Sequence, residues 1–324
     1  MNVLVVGSSL FDVIIPLEES DHVKVEGNRA SFALGDKIPI DIKAFSIGGN
    51  APNVASALKK LAIQSTFYTY LGSDPLSIFI KEKLTQEGIA VYHEDTKSDN
   101  GPISLIFNFP TDRTIFSHHP EHDHGFDPSK LSEKPTHIFL TSIGKTWEGA
   151  YEKILQYAQQ ENIPIAFSPG SQQMKNMNET FVKTVHQAQM LLCNMEEARA
   201  INKQLSGSDI ENPKELILNI KNNGFEMLSI TDGANGAYAI DSDDKIYKAQ
   251  TLKPDGHEKT GAGDAYAGAF LAAYIQGSDI PTCMKYGVLN AMGVMSHVGA
   301  HTGQLTKEQM KEKVSTTELA VEIL

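Results

Sequence analysis

Short apolar runs alternate along most of the chain with stretches whose apolar positions recur at helical spacing. Residues 3–6, 65–70, 137–141, 165–167, 190–193 and 227–231 are rich in apolar and β-forming side chains, with little polar alternation. Strands covered on both faces read this way, whereas a strand with one wet face alternates strictly. Between them the spacing predicts helices over 52–60, 75–87, 147–161, 178–187, 195–204 and 213–222. Such an order predicts an α/β fold, with helices on both faces of a mostly parallel sheet and ligands beyond the carboxyl ends of its strands.

Two segments depart from this rhythm. Residues 13–45 and 91–117 show strand-type alternation with polar faces, as in Pro102-Ile103-Ser104-Leu105-Ile106-Phe107-Asn108-Phe109. They are expected to pair as one small sheet, or else to stand as separate hairpins at the edge of the large one. No internal repeat, low-complexity tract or linker divides the chain, so 1–324 reads as a single domain.

Composition narrows the function. A chain of 324 residues with 41% hydrophobic content can bury one large core. A formal charge of −12 disfavours nucleic acid and anionic membrane as partners. The only arginines are Arg29, Arg113 and Arg199, so phosphate recognition must lean on backbone amides, lysines and metal. Cys193 and Cys283 are too few for a disulfide framework and suit a reducing cytoplasm, as buried packing residues. The start Met1-Asn2-Val3-Leu4-Val5-Val6-Gly7 reads as a strand and not as a signal peptide. No run reaches the roughly 20 apolar residues needed to cross a bilayer. A soluble cytoplasmic protein is expected.

The chemistry concentrates in Lys259-Thr260-Gly261-Ala262-Gly263-Asp264-Ala265, which opens an apolar helical stretch. Residues this small let N–H groups face outward at a helix N-terminus, where an anion is favoured. A carboxylate beside that nest can take a proton from a hydroxyl while the nest holds phosphate charge. Taken alone, the run is equally an ordinary helix start with Asp264 as its cap. A second stretch far upstream, Gly48-Gly49-Asn50-Ala51-Pro52-Asn53-Val54, also leads a helix.

Together the two stretches resemble the paired signatures of the ribokinase-like (PfkB) carbohydrate kinase family. The resemblance implies a three-layer αβα fold with a mostly parallel central sheet, and a small β lid built from about 13–45 and 91–117. It implies an ATP-dependent kinase that phosphorylates a hydroxyl of a small sugar, with Asp264 as general base and Gly261, Ala262 and Gly263 as anion hole. A bulky residue at Gly263 is expected to block phosphate approach and strain the backbone. Asp12, Gly49, Asn50 and Asn53 would form the acceptor floor, although Asp12 alone also reads as a turn cap. Asn194 and Glu197 match an Asn-x-x-Glu element, with Glu197 acting on Mg²⁺ through water; by themselves they read as a helix cap. Thr231, Gly233 and Gly236 would lie on the nucleotide side, and Asn290 near the adenine. Glu258 stands where the family carries an aspartate near a monovalent-cation site, so Glu258 and Thr260 are candidates for K⁺, with a solvated loop acid as the alternative. The family's habit of pairing through its lids suggests a homodimer.

Other motifs weigh less. Gly144-Lys145-Thr146 lacks the leading glycine of a Walker A loop, since position 139 is Phe139. The run His118-His119-Pro120-Glu121-His122-Asp123-His124 has the composition of a metal site, but fits solvated histidines at the lid base. Arg113 is placed to meet transferred phosphate or to make a surface ion pair. GxGxxG is absent, which removes the main support for a nicotinamide oxidoreductase. Asn50, where ribokinases carry lysine, and the scarcity of arginine favour a neutral sugar. Phe167-Ser168-Pro169-Gly170-Ser171-Gln172-Gln173 resembles some bacterial adenosine kinases, which keeps a nucleoside kinase as the alternative. A non-catalytic sensor of the same fold is a third reading, against which the retained Asp264 and its nest stand.

Overall fold

The structure, a computed structural model, describes residues 1–95, 100–110, 112–120, 124–252, 260–297, 299 and 301–324. The chain opens with β1 (Asn2–Val6), then runs through β2 (Leu10–Pro16), β3 (Val23–Glu26), β4 (Arg29–Phe32) and β5 (Ala44–Gly48). It returns through α1 (Asn50–Lys60), β6 (Gln64–Leu71), α2 (Pro75–Gln86) and β7 (Ala90–Asp95), and leaves again as β8 (Ile103–Asn108) and β9 (Arg113–His118). Next come β10 (His137–Leu140), α3 (Glu148–Glu161), β11 (Ile165–Phe167), α4 (Ser171–Lys175), α5 (Glu179–Gln187) and β12 (Met190–Asn194). Then follow α6 (Met195–Ser206), α7 (Pro213–Asn222), β13 (Met227–Thr231), β14 (Ala237–Ile240) and β15 (Ile246–Ala249). The chain closes with α8 (Ala262–Ile275), α9 (Ile280–Met295), α10 (Lys307–Thr316) and β16 (Val321–Ile323).

Among the described residues the main sheet has the order β16-β15-β14-β13-β12-β11-β10-β1-β6-β7. From β7 to β13 every pairing is parallel, and the β13–β16 edge is antiparallel. Strand β1 explains why the apolar runs lack alternation. Its Val3 and Val5 enter a core shared with Val54 of α1, Phe270 of α8 and Met284 of α9. Leu4 and Val6 enter a second core with Ile154 of α3, Phe181 of α5 and Ile201 of α6. Successive side chains point to opposite faces, and helices cover both faces, so every position is apolar.

A second sheet has the order β5-β2-β8-β9. Strands β2 and β8 pair in parallel, and the β2–β5 and β8–β9 pairs are antiparallel. Strands β3 and β4 form a separate two-stranded ribbon. The segment 91–117 divides: β7 joins the main sheet alongside β6, and only β8 and β9 enter the small sheet. Strand β7 is the edge of the main sheet, with Val91 packed against one core and Tyr92 against the other, each only partly buried.

Helix α8 is apolar all round and almost wholly buried after Asp264, as expected of a helix packed on several sides. It packs closely on α1. A Cβ built on Gly268 would lie 2.7 Å from Ala57 Cβ and 3.2 Å from the Val54 carbonyl oxygen. The helices therefore meet nearly backbone to backbone. Gly268→Val is expected to overpack this contact and destabilise the protein by about 1–3 kcal/mol, read as a lowered urea midpoint.

Candidate active site

The acceptor side grows from the turn after β1. Ser8 N–H donates to the Ser142 carbonyl at 2.7 Å, which fixes that turn against the end of β10. Asp12, on β2, is 5% exposed. A Cβ on Gly48 would fall 2.0 Å from Asp12 Oδ2, so the carboxylate occupies the space that glycine leaves open. Gly49, the N-cap of α1, has φ 101°, and a Cβ there would fall 2.6 Å from the Ser8 carbonyl oxygen. Only glycine meets both demands. Asn50 begins α1, and Asn53, one turn further, is buried.

Asn53 joins the two glycine-rich stretches. Its Nδ2 donates to Asp264 Oδ2 at 2.8 Å across 211 positions of sequence. The helix that carries Asp264 starts at Gly261, which is left-handed at φ 77° and has no side-chain cap. Ala265 N–H bonds back to the Gly261 carbonyl, while the amides just before it have no intrahelical acceptor. A Cβ on Gly263 would meet nothing within 4 Å, so the space in front of Ala262 and Gly263 can admit an anion. The expectation of backbone strain at Gly263 is corrected here. Gly263 lies within α8, and the left-handed residue is Gly261. Partly buried Asp264 has its carboxyl pushed up to about 6, chiefly by burial, with the Asn53 hydrogen bond and the charge of His301 pulling the other way.

The nucleotide-side candidates lie at the ends of β12 and β13, where Asn194 and Thr231 are direct cross-strand partners. Asn194 and Glu197 form a reciprocal capping box: Glu197 N–H donates to Asn194 Oδ1, and Asn194 N–H to Glu197 Oε2, both at 2.9 Å. Burial raises the Glu197 carboxyl, and the charge of Asp264 adds to the rise. Among the described residues no group of three or more His, Cys, Asp and Glu side chains converges to hold a metal ion. Gly233 has φ 52° and faces open space, whereas a Cβ on Gly236 would fall 2.1 Å from the Ala249 carbonyl oxygen. Gly236 thus serves the close passage of β15.

Asn290, expected near the adenine, has an internal place in the fold. It is fully buried, donating to the Ala265 carbonyl at 2.9 Å and accepting from Leu305 N–H at 2.8 Å. Both ends of its amide serve this internal clamp on the first turn of α8. Thr260 sits in the turn before α8, and Glu258 lies outside the described residues.

The remaining motifs take ordinary places. His124 is buried, with Nδ1 at 2.9 Å from Thr146 Oγ1 and its ring edge-on to Tyr70. Residues 121–123 of the histidine run lie outside the described residues. Both cysteines are buried and unbridged, and burial raises both thiols, Cys283 to about 12. Sequence reasoning missed Lys60, Glu87, His301 and Gln304, isolated polar residues that converge near Asn53 and carry no local motif.

These residues lie on a ribokinase-type αβα fold. The profile of the pfkB family carbohydrate kinases matches residues 2–307, and the chain belongs to that family of enzymes with an alcohol group as acceptor. It is 24% identical over 284 residues to the 5-dehydro-2-deoxygluconokinase of Bacillus subtilis (strain 168), covering 83% of this chain and 86% of that one. The ribokinase of Thermotoga maritima superposes with a TM-score of 0.75 at 18% identity, covering 97% of this chain and 99% of that one. The nucleoside kinase of Methanocaldococcus jannaschii superposes with a TM-score of 0.71 at 20% identity, covering 98% of each chain. Among the described residues no helix is long and apolar enough to cross a membrane.

The displaced Asp264 carboxyl has a consequence for stability. The folded chain holds this proton more tightly than the unfolded one, so ionisation costs stability, fully above about 6 and not at all below the ordinary 3.8. Asp264→Asn keeps an acceptor for Asn53 and removes the buried charge. It is expected to stabilise the protein by about 1–2 kcal/mol near pH 7.5, with the gain fading toward pH 4 in urea titrations.

Proposed function

We propose that the chain is an ATP-dependent kinase of a hydroxyl on a small sugar, with Asp264 as general base and the amides of Gly261, Ala262 and Gly263 as anion hole. The observation that carries this is the Asn53–Asp264 hydrogen bond, which sets the acceptor-side helix against the open start of α8. A carboxyl near 6 is ionised at neutral pH yet basic enough to take a hydroxyl proton as the bond to phosphorus forms. Asp12, Gly49, Asn50 and Asn53 orient the acceptor; an ionised Asp12 can accept from two sugar hydroxyls. The amides at 261–263 hold the migrating phosphoryl group without reorganising. Thr231 and Gly233 flank the nucleotide, with Asn194 at its phosphates. Through water, Glu197 would hold Mg²⁺, which would supply charge neutralisation on the phosphates. Thr260 and Glu258 are the proposed contacts for K⁺. Two unbridged thiols support a cytoplasmic setting.

We further take the small sheet, with its ribbon, as a lid. Asp12 and Gly48 lie on its paired strands β2 and β5, so movement of this sheet moves the acceptor floor. Ile42, Phe45, Ile115 and Phe116 of the same region are 45–57% exposed. We propose that a second copy of the chain covers them. Phe45→Asp combined with Phe116→Asp is expected to convert a dimer to a monomer in sedimentation velocity; a wild type that sediments as a monomer removes the proposal.

The kinase reading is tested by ADP release over a panel of neutral pentoses and hexoses, nucleosides, and the dehydrodeoxygluconate that names the relatives. Asp264→Asn is expected to lower turnover by about 10²–10⁴-fold while ATP still binds in calorimetry. Turnover that survives the substitution would remove Asp264 as the base. Sugar binding by wild type with no transfer to any acceptor would instead favour the sensor.

A further inference from the structure

Two adjacent residues of the 301–305 turn reach toward the two helices that meet at the site. Gln304 Nε2 donates to the Asn53 carbonyl of α1 at 2.8 Å. Leu305 N–H donates at 2.8 Å to Asn290 Oδ1 of α9, and Asn290 Nδ2 donates at 2.9 Å to the Ala265 carbonyl of α8. The Asn53 side chain closes the circuit by donating at 2.8 Å to Asp264, the residue before Ala265. Four hydrogen bonds and two peptide links therefore form one ring: Asn53, Asp264, Ala265, Asn290, Leu305, Gln304 and back to Asn53.

The side chains that close this ring are buried amides. Asn53, Asn290 and Gln304 are 3%, 0% and 4% exposed. The turn has no slack against α9, because a Cβ on either Gly293 or Gly303 would run into the other's carbonyl oxygen. Neither helix needs the side-chain donors for its own ladder. Asn53 and Ala265 lie in the first turns of α1 and α8, where a carbonyl already serves the amide four residues on. Gln304 and Asn290 take a second lone pair. Gln304 also carries a cost, since its Oε1 is buried without a hydrogen-bond partner among the described residues. A methionine would fill a similar volume without that cost, so the retained amide asks for a geometric role.

We propose that Asn290 and Gln304 are positioning residues for phosphoryl transfer: they close the ring and so fix how α1 and α8 are turned against each other where Asn53 meets Asp264. This rests on Asp264 being the general base. Packing at Gly268 sets how near the helices come one turn further on, but a close contact at one point does not set their slide or rotation. A shift of about 1 Å between the base and the acceptor floor is enough to cost about 10²-fold in rate. Breaking the ring at any bond releases the same restraint, so a second break adds little.

The test compares crystal structures and kcat of Gln304→Met, Asn290→Leu, their double variant and Ser229→Ala, with ATP and the fastest acceptor of the sugar and nucleoside panel. Ser229→Ala removes a buried 2.8 Å hydrogen bond between Ser229 Oγ and Tyr266 OH, which ties α8 to β13 outside the ring. In Gln304→Met and Asn290→Leu the separation of Asn53 Nδ2 from Asp264 Oδ2 is expected to pass about 3.5 Å. Their kcat should fall about 10–100-fold, with KM for ATP changed by less than about twofold. The double variant should stay within about threefold of the slower single one, and Ser229→Ala within about threefold of wild type. If Asn290→Leu does not fold, Asn290→Ala takes its place. Rates that multiply in the double variant, single variants as fast as wild type, or an equal loss in Ser229→Ala overturn the inference and leave the general-base reading intact. Turnover that survives in Asp264→Asn overturns both.

Discussion

The near-contact of two helix backbones, α1 and α8, is the constraint on which the site depends. It exists because position 268 carries no side chain where Ala57 and Val54 approach. Asn53 and Asp264 both lie in the early turns of these helices, so their separation follows from how closely the helices pack. Were the helices an ångström or two further apart, the 2.8 Å hydrogen bond between them could not form. Packing density and chemical geometry are the same quantity at this contact.

Electrostatics then sets what the site can do. Asp264 and Glu197 are acidic groups that burial drives toward neutrality, each at the start of a helix. Helix N-termini favour anions, and the low polarity around them opposes that preference. The balance for Asp264 falls near neutral pH, where a general base is most useful. Lys60 and Gln304 tie α1 to the 301–304 turn, where His301 stands beside Glu87, so polar contacts hold the helix that carries Asn53.

Much of this was legible in order along the chain. The continuous apolar runs announced a sheet covered on both faces, and Val3 to Val6 do supply two separate cores. The helix expected over 75–87 is present as α2, where Asp74 accepts from Leu76 and Ser77 N–H. The two glycine stretches were visible as helix starts, and their pairing was carried by family resemblance and not by spacing. The strand β7 misled because an edge strand of the large sheet alternates just as a lid strand does.

By itself the sequence determined the α/β class, the helix starts and the small-residue nest, because these depend on periodicity and local backbone preference, which act over a few residues. Only the tertiary structure decided that Asn290 clamps α8, that Gly236 makes room for β15, and that Lys60 and Gln304 tie the 301–304 turn to α1. Those roles arise where segments far apart in the chain meet. A lone polar residue shows nothing of the partner that folding will bring to it, or of how deeply the two will be buried together.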